Sequence, residues 1–267
     1  MHRKHAVPLA LALSVLLAAG GARADEIVTL KTRANAEQSY LLLADAKPQA
    51  IAVMFPGGQG QVRLPAEISQ LKLGPRGNFL VRTRELFRDR ELAVAIVDSP
   101  SDRQSGMEDT FRIGRKHAED IAAAVRDLKA RFPGAKIFLV GTSRGTLSAA
   151  YLGRSLGASV DGVVLTSSVL QGTRRGMNLS LSGFDFAAIK APLLFVHHAE
   201  DACRSCPYSD AQRLGRTYPL VTVKGGKPAE SGECEPLSAH GYFGKEEETV
   251  SAIKSWILGK PYPRTVE

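Results

Sequence analysis

A serine stands between two glycines in the motif GTSRG (residues 141–145), after the apolar run KIFLV and before a segment rich in small residues. A sharp turn from a strand into a helix would expose the Ser143 hydroxyl, and the two glycines would let strand and helix approach closely. A serine becomes a nucleophile when a histidine takes its proton and an acid orients that histidine. The motif predicts nucleophilic chemistry at Ser143, and an ordinary turn serine is the alternative interpretation.

A histidine and an acid follow this serine in chain order. His240 lies in the loop SAHGYFG, directly before the last predicted helix, and is the candidate base. Three other histidines follow residue 24. His117 belongs to a polar helical pattern and is expected to be exposed, whereas His197 and His198 end an apolar run and are expected to support the site. One of that pair acting as the base is the alternative to His240.

Alternating strands and helices must position these residues. Apolar runs predict buried strands at 50–55, 92–98, 136–141, 162–168, 192–198 and 220–226, after an opening pair at 27–32 and 40–44. Helices are predicted from 117 to the stop at Pro133-Gly134, and at 143–157, 207–217 and 245–258. This alternation predicts an α/β fold with a mostly parallel twisted sheet and helices on both faces, in a single domain at residues 25–267. Ligands of such sheets bind beyond the carboxyl ends of the strands, where the serine and histidine loops lie.

On these motifs and their order, nearly all of residues 25–267 resembles the α/β-hydrolase superfamily, in particular exported esterases and dienelactone-hydrolase-like proteins. The resemblance implies that Ser143 is the nucleophile, His240 the general base and Asp201 the acid. Glu200 competes with Asp201, because Pro207 comes later after the acid than in many relatives and the loop is therefore longer. No metal or organic cofactor is implied.

The resemblance also implies an oxyanion hole, meaning backbone N–H groups that stabilise the charge developing on a substrate oxygen. One donor would be the N–H of Arg144. The other would come from the loop PGGQG after the first buried strand, from Gly58 or Gln59, with Gly58 favoured because glycine lets the backbone face a ligand. A phosphate-binding interpretation of this loop fails, because no Gly-Lys-Ser/Thr follows it.

Three cysteines lie near the acid and the histidine. Cys203 follows Asp201 by two residues, and Cys234 precedes His240 by six. A Cys203–Cys234 disulfide would connect the acid loop to the histidine loop and leave Cys206 free, which is the prediction; a Cys203–Cys206 bridge would need a tight local turn. A zinc site formed by the three cysteines and His240 is a further alternative, but the metal would occupy the proposed base.

The first 24 residues have the features of a secretory signal peptide. A basic start precedes an apolar run at 9–19, and Ala22-Arg23-Ala24 fits a cleavage site, so the mature chain would begin at Asp25. The protein is therefore expected to be exported, periplasmic or secreted, without stable membrane insertion; an uncleaved anchor is the alternative. Removing residues 1–24 lowers the formal net charge from +8 to +5. Basic residues are not interleaved with aromatic ones, which argues against nucleic-acid binding.

The pattern favours a serine hydrolase that cleaves a carboxylic ester in a small molecule. A catalytically silent binding protein of the same fold, an acyltransferase and a peptidase are the alternatives. Residues 169–191 are too few for a large helical cap, and the loop 99–114 is expected to wall the pocket. Arg103 or Arg112 could meet an anionic group, the alternative being a solvated or helix-capping charge. Four arginines between residues 82 and 90 are expected to form a solvated helix face.

Overall fold

The computed structural model describes residues 24–45, 47–73, 77–172 and 179–267. The signal-peptide prediction lies outside these ranges except at Ala24. In the described residues, nine strands form one sheet in the order β1-β2-β4-β3-β5-β6-β7-β8-β9. The pairs β1–β2 and β2–β4 are antiparallel, and all the other neighbouring strands pair in parallel. The strands are β1 Ala24–Arg33, β2 Ala36–Ala44, β3 Ala50–Phe55, β4 Leu92–Val97, β5 Lys136–Thr142, β6 Gly162–Thr166, β7 Leu193–His198, β8 Leu220–Val223 and β9 Thr265–Val266.

The central strands are buried on both faces of the sheet. Every residue of β3, β4, β6 and β7 is buried, as continuous apolar runs in a parallel sheet require. The helices are α1 Phe79–Arg82, α2 Arg84–Phe87, α3 Asp109–Arg112, α4 Arg115–Arg131, α5 Gly145–Leu156, α6 Tyr208–Leu214 and α7 Glu246–Ile257. Apolar residues of α4 and α5 pack on one face, and those of α1, α2 and α7 pack on the other. Within the described ranges, no helix has the length and apolar character that spanning a bilayer requires.

The predicted elements are confirmed, with four short additions. Helices α4 to α7 lie within a few residues of their predicted positions. The four-residue helices α1, α2 and α3 and the two-residue strand β9 were not predicted, because segments this short carry no periodic hydrophobic pattern. Only α1 has a local signal, since the side chain of Asn78 caps it by accepting a hydrogen bond from the N–H of Leu80 at 3.1 Å.

Two sequence-based expectations about exposure are wrong. His117 is buried, with its ring centroid 6.0 Å from that of Phe55 and 5.6 Å from that of Phe111. The arginines between 82 and 90 do not form one solvated helix face, because α1 and α2 are separate short helices. The side chains of Arg82 and Arg88 are 6% and 5% exposed, and each forms an ion pair. A position in a polar stretch did not decide burial here. His117 packs against Phe55 of β3, and the two arginines are held by carboxylates.

The buried histidines predict an acid-sensitive fold. Burial lowers the pKa of His117 to about 3, and burial also lowers the pKa of His197 to about 4. The unfolded chain binds these protons at a pKa near 6.5, so the stability contributed by the neutral rings is lost as pH falls from about 6.5 towards the folded pKa values.

We expect His117 to account for about 2 kcal/mol of the stability lost between pH 7 and pH 5. Urea unfolding of the wild type and His117→Leu at both pH values would measure it, because the leucine variant should lose less stability on acidification. His197 remains in both proteins and serves as the internal control. Equal losses in the two proteins would contradict the assignment to His117.

Candidate active site

The turn at Ser143 is a strained connection between β5 and α5. Ser143 has φ +71°, a left-handed conformation that is uncommon for residues other than glycine, and its N–H donates to the carbonyl of Thr166 at 3.1 Å. The two glycines of the motif are required by space. A Cβ at Gly141 would lie 2.4 Å from the carbonyl oxygen of Gly145, and one at Gly145 would lie 2.0 Å from that of Phe55.

The structure brings Ser143, His240 and Asp201 together at the carboxyl edge of the sheet. His240 Nε2 lies 3.0 Å from Ser143 Oγ, and His240 Nδ1 lies 2.9 Å from Asp201 Oδ2. The other carboxylate oxygen of Asp201 accepts the N–H of Cys203 at 2.9 Å. Glu200, the competing acid, is exposed, and its N–H donates to His198 Nδ1. Of the two acids, Asp201 is the one that contacts the histidine.

A buried tyrosine holds the histidine loop to the sheet. The Tyr242 hydroxyl accepts the N–H of Ser167 at 3.0 Å and donates to the carbonyl of Val196 at 2.7 Å. Ser167 Oγ lies 2.9 Å from that hydroxyl and donates to the carbonyl of His240 at 2.7 Å. Burial raises the pKa of Tyr242, so its hydroxyl stays protonated. The backbone of His240 is therefore attached to the ends of β6 and β7, although the sequence did not single out Ser167 or Tyr242.

His197 and His198 support the site without contacting Ser143. His197 Nε2 accepts the N–H of Ser168 at 2.8 Å, and burial keeps this ring neutral by lowering its pKa to about 4. His198 Nε2 lies 2.8 Å from the carbonyl of Gly225. The supporting role predicted for this pair is consistent with these contacts, and neither ring replaces His240 beside the serine.

A pocket of about 230 Å³ opens beside Ser143. Gly57 and Gly58 line it, and a Cβ at Gly57 would lie 2.9 Å from Ser143 Cβ. Arg144 is the N-cap of α5, so its N–H has no acceptor within that helix. Gln59 is not among the lining residues, and its carbonyl accepts the N–H of Met107 at 2.9 Å. Of the two residues proposed for the second oxyanion donor, Gly58 is the one beside the serine.

The remaining walls come from two segments for which the sequence did not predict a lining role. Asn78 and Phe79 form one side, and the residues from Cys234 to Pro236 form the other. The loop 99–114, expected to wall the pocket, contributes no lining residue. It packs behind the 57–60 turn instead, where a Cβ at Gly106 would lie 2.5 Å from Gln59 Cβ.

The predicted disulfide is present. Cys203 and Cys234 are bonded, with a sequence separation of 31, and Cys206 is a buried free thiol. Burial raises the pKa of Cys206, which keeps it in the unreactive thiol form. Cys203, Cys206 and His240 place potential ligand atoms within 4.8 Å of one another, but the residues do not fit a zinc ion. The Cys203 sulfur is in the disulfide, and both ring nitrogens of His240 have partners.

Neither arginine proposed for anion binding is free in the pocket. Arg103 is 4.9 Å from the Phe111 ring centroid and lies 3.6 Å from the Asp102 carboxylate. Arg112 is 1% exposed and lies beneath the 56–60 loop, so it is neither a solvated nor a helix-capping charge.

The arrangement can activate a hydroxyl. With Asp201 accepting the Nδ1 proton, His240 presents a lone pair on Nε2 to the Ser143 hydroxyl. The histidine can then take the proton as Ser143 Oγ attacks an electrophilic atom, with Gly58 lining the same pocket.

Tyr242→Phe should slow this chemistry, because it removes the hydroxyl that joins the histidine loop to Ser167 and Val196. We expect the rate of Ser143 labelling by a fluorophosphonate to fall about 10-fold to 100-fold, since small displacements of reacting groups have effects of this size. Tyr208→Phe is the matched control, because that hydroxyl bonds to Thr222 at 2.8 Å and neither residue lines the pocket. A folded Tyr242→Phe variant that is labelled as fast as the control would contradict the prediction.

Comparisons with known proteins support the fold. No protein-family model matches the chain, and no curated protein matches it in sequence. The structure is similar to Est1E from Butyrivibrio proteoclasticus, with a TM-score of 0.61, 14% identity and coverage of 87% of this chain and 98% of that one. Dienelactone hydrolase from Anabaena variabilis gives a TM-score of 0.60, 13% identity, and coverage of 89% and 98%. XC6422 from Xanthomonas campestris, described as an α/β serine hydrolase without a lid, gives a TM-score of 0.56 and 14% identity, with coverage of 89% of this chain and 97% of that one. The chain has the α/β-hydrolase fold.

Proposed function

We propose that the protein is a serine hydrolase that cleaves carboxylic ester bonds in small molecules. The observation that carries the proposal is the hydrogen-bonded chain from Asp201 through His240 to Ser143, on a turn that holds the serine in a left-handed conformation. Strained backbone at a pocket is a recurrent feature of functional sites. A structural serine would need neither the histidine nor the buried acid behind it.

The proposed reaction proceeds through an acyl-enzyme. Ser143 Oγ bonds to the ester carbonyl carbon as its proton passes to His240 Nε2, and the resulting oxyanion accepts hydrogen bonds from the N–H groups of Arg144 and Gly58. The tetrahedral intermediate expels the alcohol, which takes the proton from His240. Water then attacks the acyl group on Ser143 with His240 as base, releasing the acid and restoring the serine. Asp201 stabilises the imidazolium in both halves.

The pocket favours short acyl groups. Its volume of about 230 Å³ is limited, and its lining includes the polar Asn78 and the apolar Phe79. Between β6 and β7, the described residues contain a 3-10 turn at Phe186–Ala188 and no α-helix, so they contribute no helical cap. The proposal agrees with the similar structures, which include esterases and one of Est1E with ferulic acid bound.

The test combines covalent labelling with turnover. A fluorophosphonate should label the wild type and spare Ser143→Ala, and the wild type should hydrolyse p-nitrophenyl acetate and butyrate faster than the octanoate, with the variant at least about 10³-fold slower. Ser155→Ala is the control, because that serine lies on the same helix, α5, outside the pocket lining. Equal labelling of wild type and Ser143→Ala would exclude the nucleophile. Labelling without release of acid would instead favour transfer of the acyl group to another acceptor.

We also propose that the chain is exported and functions in the periplasm or outside the cell. The support is the basic and apolar start with its Ala22-Arg23-Ala24 site, together with a disulfide, since disulfides persist in oxidising compartments.

Protein recovered from the periplasm of an expression host should begin at Asp25 and show one free thiol, that of Cys206, after unfolding without reductant. Edman sequencing and a thiol titration would measure both. The chain from Asp25 expressed in a reducing cytoplasm is the control and should show three thiols. Retention of residues 1–24, or three thiols in the exported protein, would contradict the proposal.

A further inference from the structure

The loop at residues 56–60 is rich in glycine, yet the carbonyl groups of its first four residues each accept a hydrogen bond. The carbonyl of Gly57 accepts the N–H of Gly60 at 3.0 Å, and that of Gln59 accepts the N–H of Met107 at 2.9 Å. The carbonyls of Pro56 and Gly58 both accept from Arg112 Nη2, at 3.3 Å and 3.1 Å. One guanidinium therefore fixes the two peptide groups on either side of the Gly57–Gly58 peptide.

Arg112 is an unusual group to find in this position. It is 1% exposed, its Nη1 donates to Ser148 Oγ at 3.1 Å, and no carboxylate of the described residues lies within 4.0 Å of its guanidinium. The nearest acid in sequence, Asp109, is bound by Arg144 Nε at 2.8 Å instead. Burial lowers the pKa of Arg112 to about 9, so the group is charged at neutral pH. Burying a cation without a bonded carboxylate is costly, and stability alone does not explain its presence.

The loop itself is shaped to accept the guanidinium. A Cβ at Gly60 would lie 2.6 Å from Arg112 Nη2, so the absence of a side chain there makes room for the arginine. Glycine-rich backbone has many accessible conformations, and peptide groups between glycines rotate easily unless they are held. Hydrogen bonds from a charged donor are stronger than neutral ones, and a donor buried under the loop is not displaced by water.

We propose that Arg112 is a positioning residue of the oxyanion hole: its guanidinium holds the carbonyls of Pro56 and Gly58 so that the N–H of Gly58 faces the substrate oxygen. Arg112 acts through the loop, since it is not among the residues that line the pocket. Its positive charge beneath the loop also favours negative charge on the other side, in surroundings of low dielectric constant. The inference rests on the proposed hydrolase function and assigns a residue to its transition state.

Removing Arg112 should therefore weaken transition-state stabilisation more than substrate binding. Loss of one well-placed oxyanion donor typically lowers kcat by about 10²-fold to 10³-fold. We expect Arg112→Met to lower kcat for p-nitrophenyl acetate by about 100-fold with KM within about 3-fold of the wild type. Arg112→Lys keeps the charge but not the planar fork, and should give an intermediate kcat.

An inhibitor that forms a tetrahedral adduct with the serine distinguishes a loss of oxyanion positioning from a general loss of stability. A methyl trifluoromethyl ketone forms an oxyanion adduct with an active serine, so its inhibition constant should rise in proportion to the loss of kcat/KM in the Arg112 variants. Arg88→Met is the matched control, because that arginine is also buried, at 5% side-chain exposure, and bonds to Asp25 and Asp45 away from the pocket. The control should lose thermal stability while keeping kcat and the inhibition constant.

Amide hydrogen exchange of the peptide covering residues 56–60 provides a readout that needs no activity. Exchange should be faster in Arg112→Met, or in Arg112→Lys if the methionine variant does not fold, and unchanged in Arg88→Met. If the wild type is active and the folded Arg112 variants keep both kcat and the protection of the loop from exchange, the positioning role is excluded but the proposed hydrolase function is not. A wild type without ester hydrolysis or Ser143 labelling would overturn the proposed function, whatever the exchange shows. Faster exchange with unchanged kcat would also refute the inference, because the hydrogen bonds from Arg112 to the loop would then have no effect on the reaction.

Discussion

The direct contact between the start of α5 and the end of β3 determines the geometry of the whole site. The two strands that lead to it, β3 and β5, pair in parallel with Phe55 opposite Gly141. Two residues beyond each of these partners stand Gly57 and Ser143, so the register of the sheet already places the oxyanion loop beside the nucleophile. A side chain at Gly145 would force α5 away from the carbonyl of Phe55 and separate the two. The chemistry of the turn depends on backbone packing that leaves no room for a Cβ.

The acid and the histidine reach the same point from a separate part of the sheet. Asp201 follows β7, and His240 lies far along the chain in the loop before α7. The connections that hold that loop in place include the Cys203–Cys234 bond, the carboxylate of Asp201, and the hydroxyl of Tyr242 bonded at the ends of β6 and β7. A disulfide closing a loop of this length contributes about 3–4 kcal/mol in the chain-entropy model. The long loop is consequently ordered where an exposed segment would otherwise fluctuate.

Much of this architecture could be predicted because it rests on strong local patterns. The buried strands are uninterrupted apolar runs, and the turn at Ser143 carries its glycines at the spacing that close packing needs. The features that were missed depend on contacts between distant segments. His117 lies in a polar stretch but faces the sheet, and Arg112 lies under a loop more than fifty residues earlier in the chain. Asn78 and Phe79 line the pocket from a helix too short to show periodicity. Tertiary packing decides all of these, and a single sequence contains no local signal for it.

Conformational strain is concentrated at the site. Among the described residues, four other than glycine have positive φ, and three of them are Ser143, Ser167 and Tyr242. Each such conformation costs on the order of 1–3 kcal/mol and persists only where neighbouring contacts impose it. For Ser143 the contact is its N–H on the carbonyl of Thr166, and for the other two it is their mutual hydrogen bond. Since Thr166 ends β6 and Ser167 follows it directly, the same strand end constrains both the nucleophile and the histidine loop. The core of the sheet therefore offsets the strain, and one short segment sets the distance between Ser143 and His240.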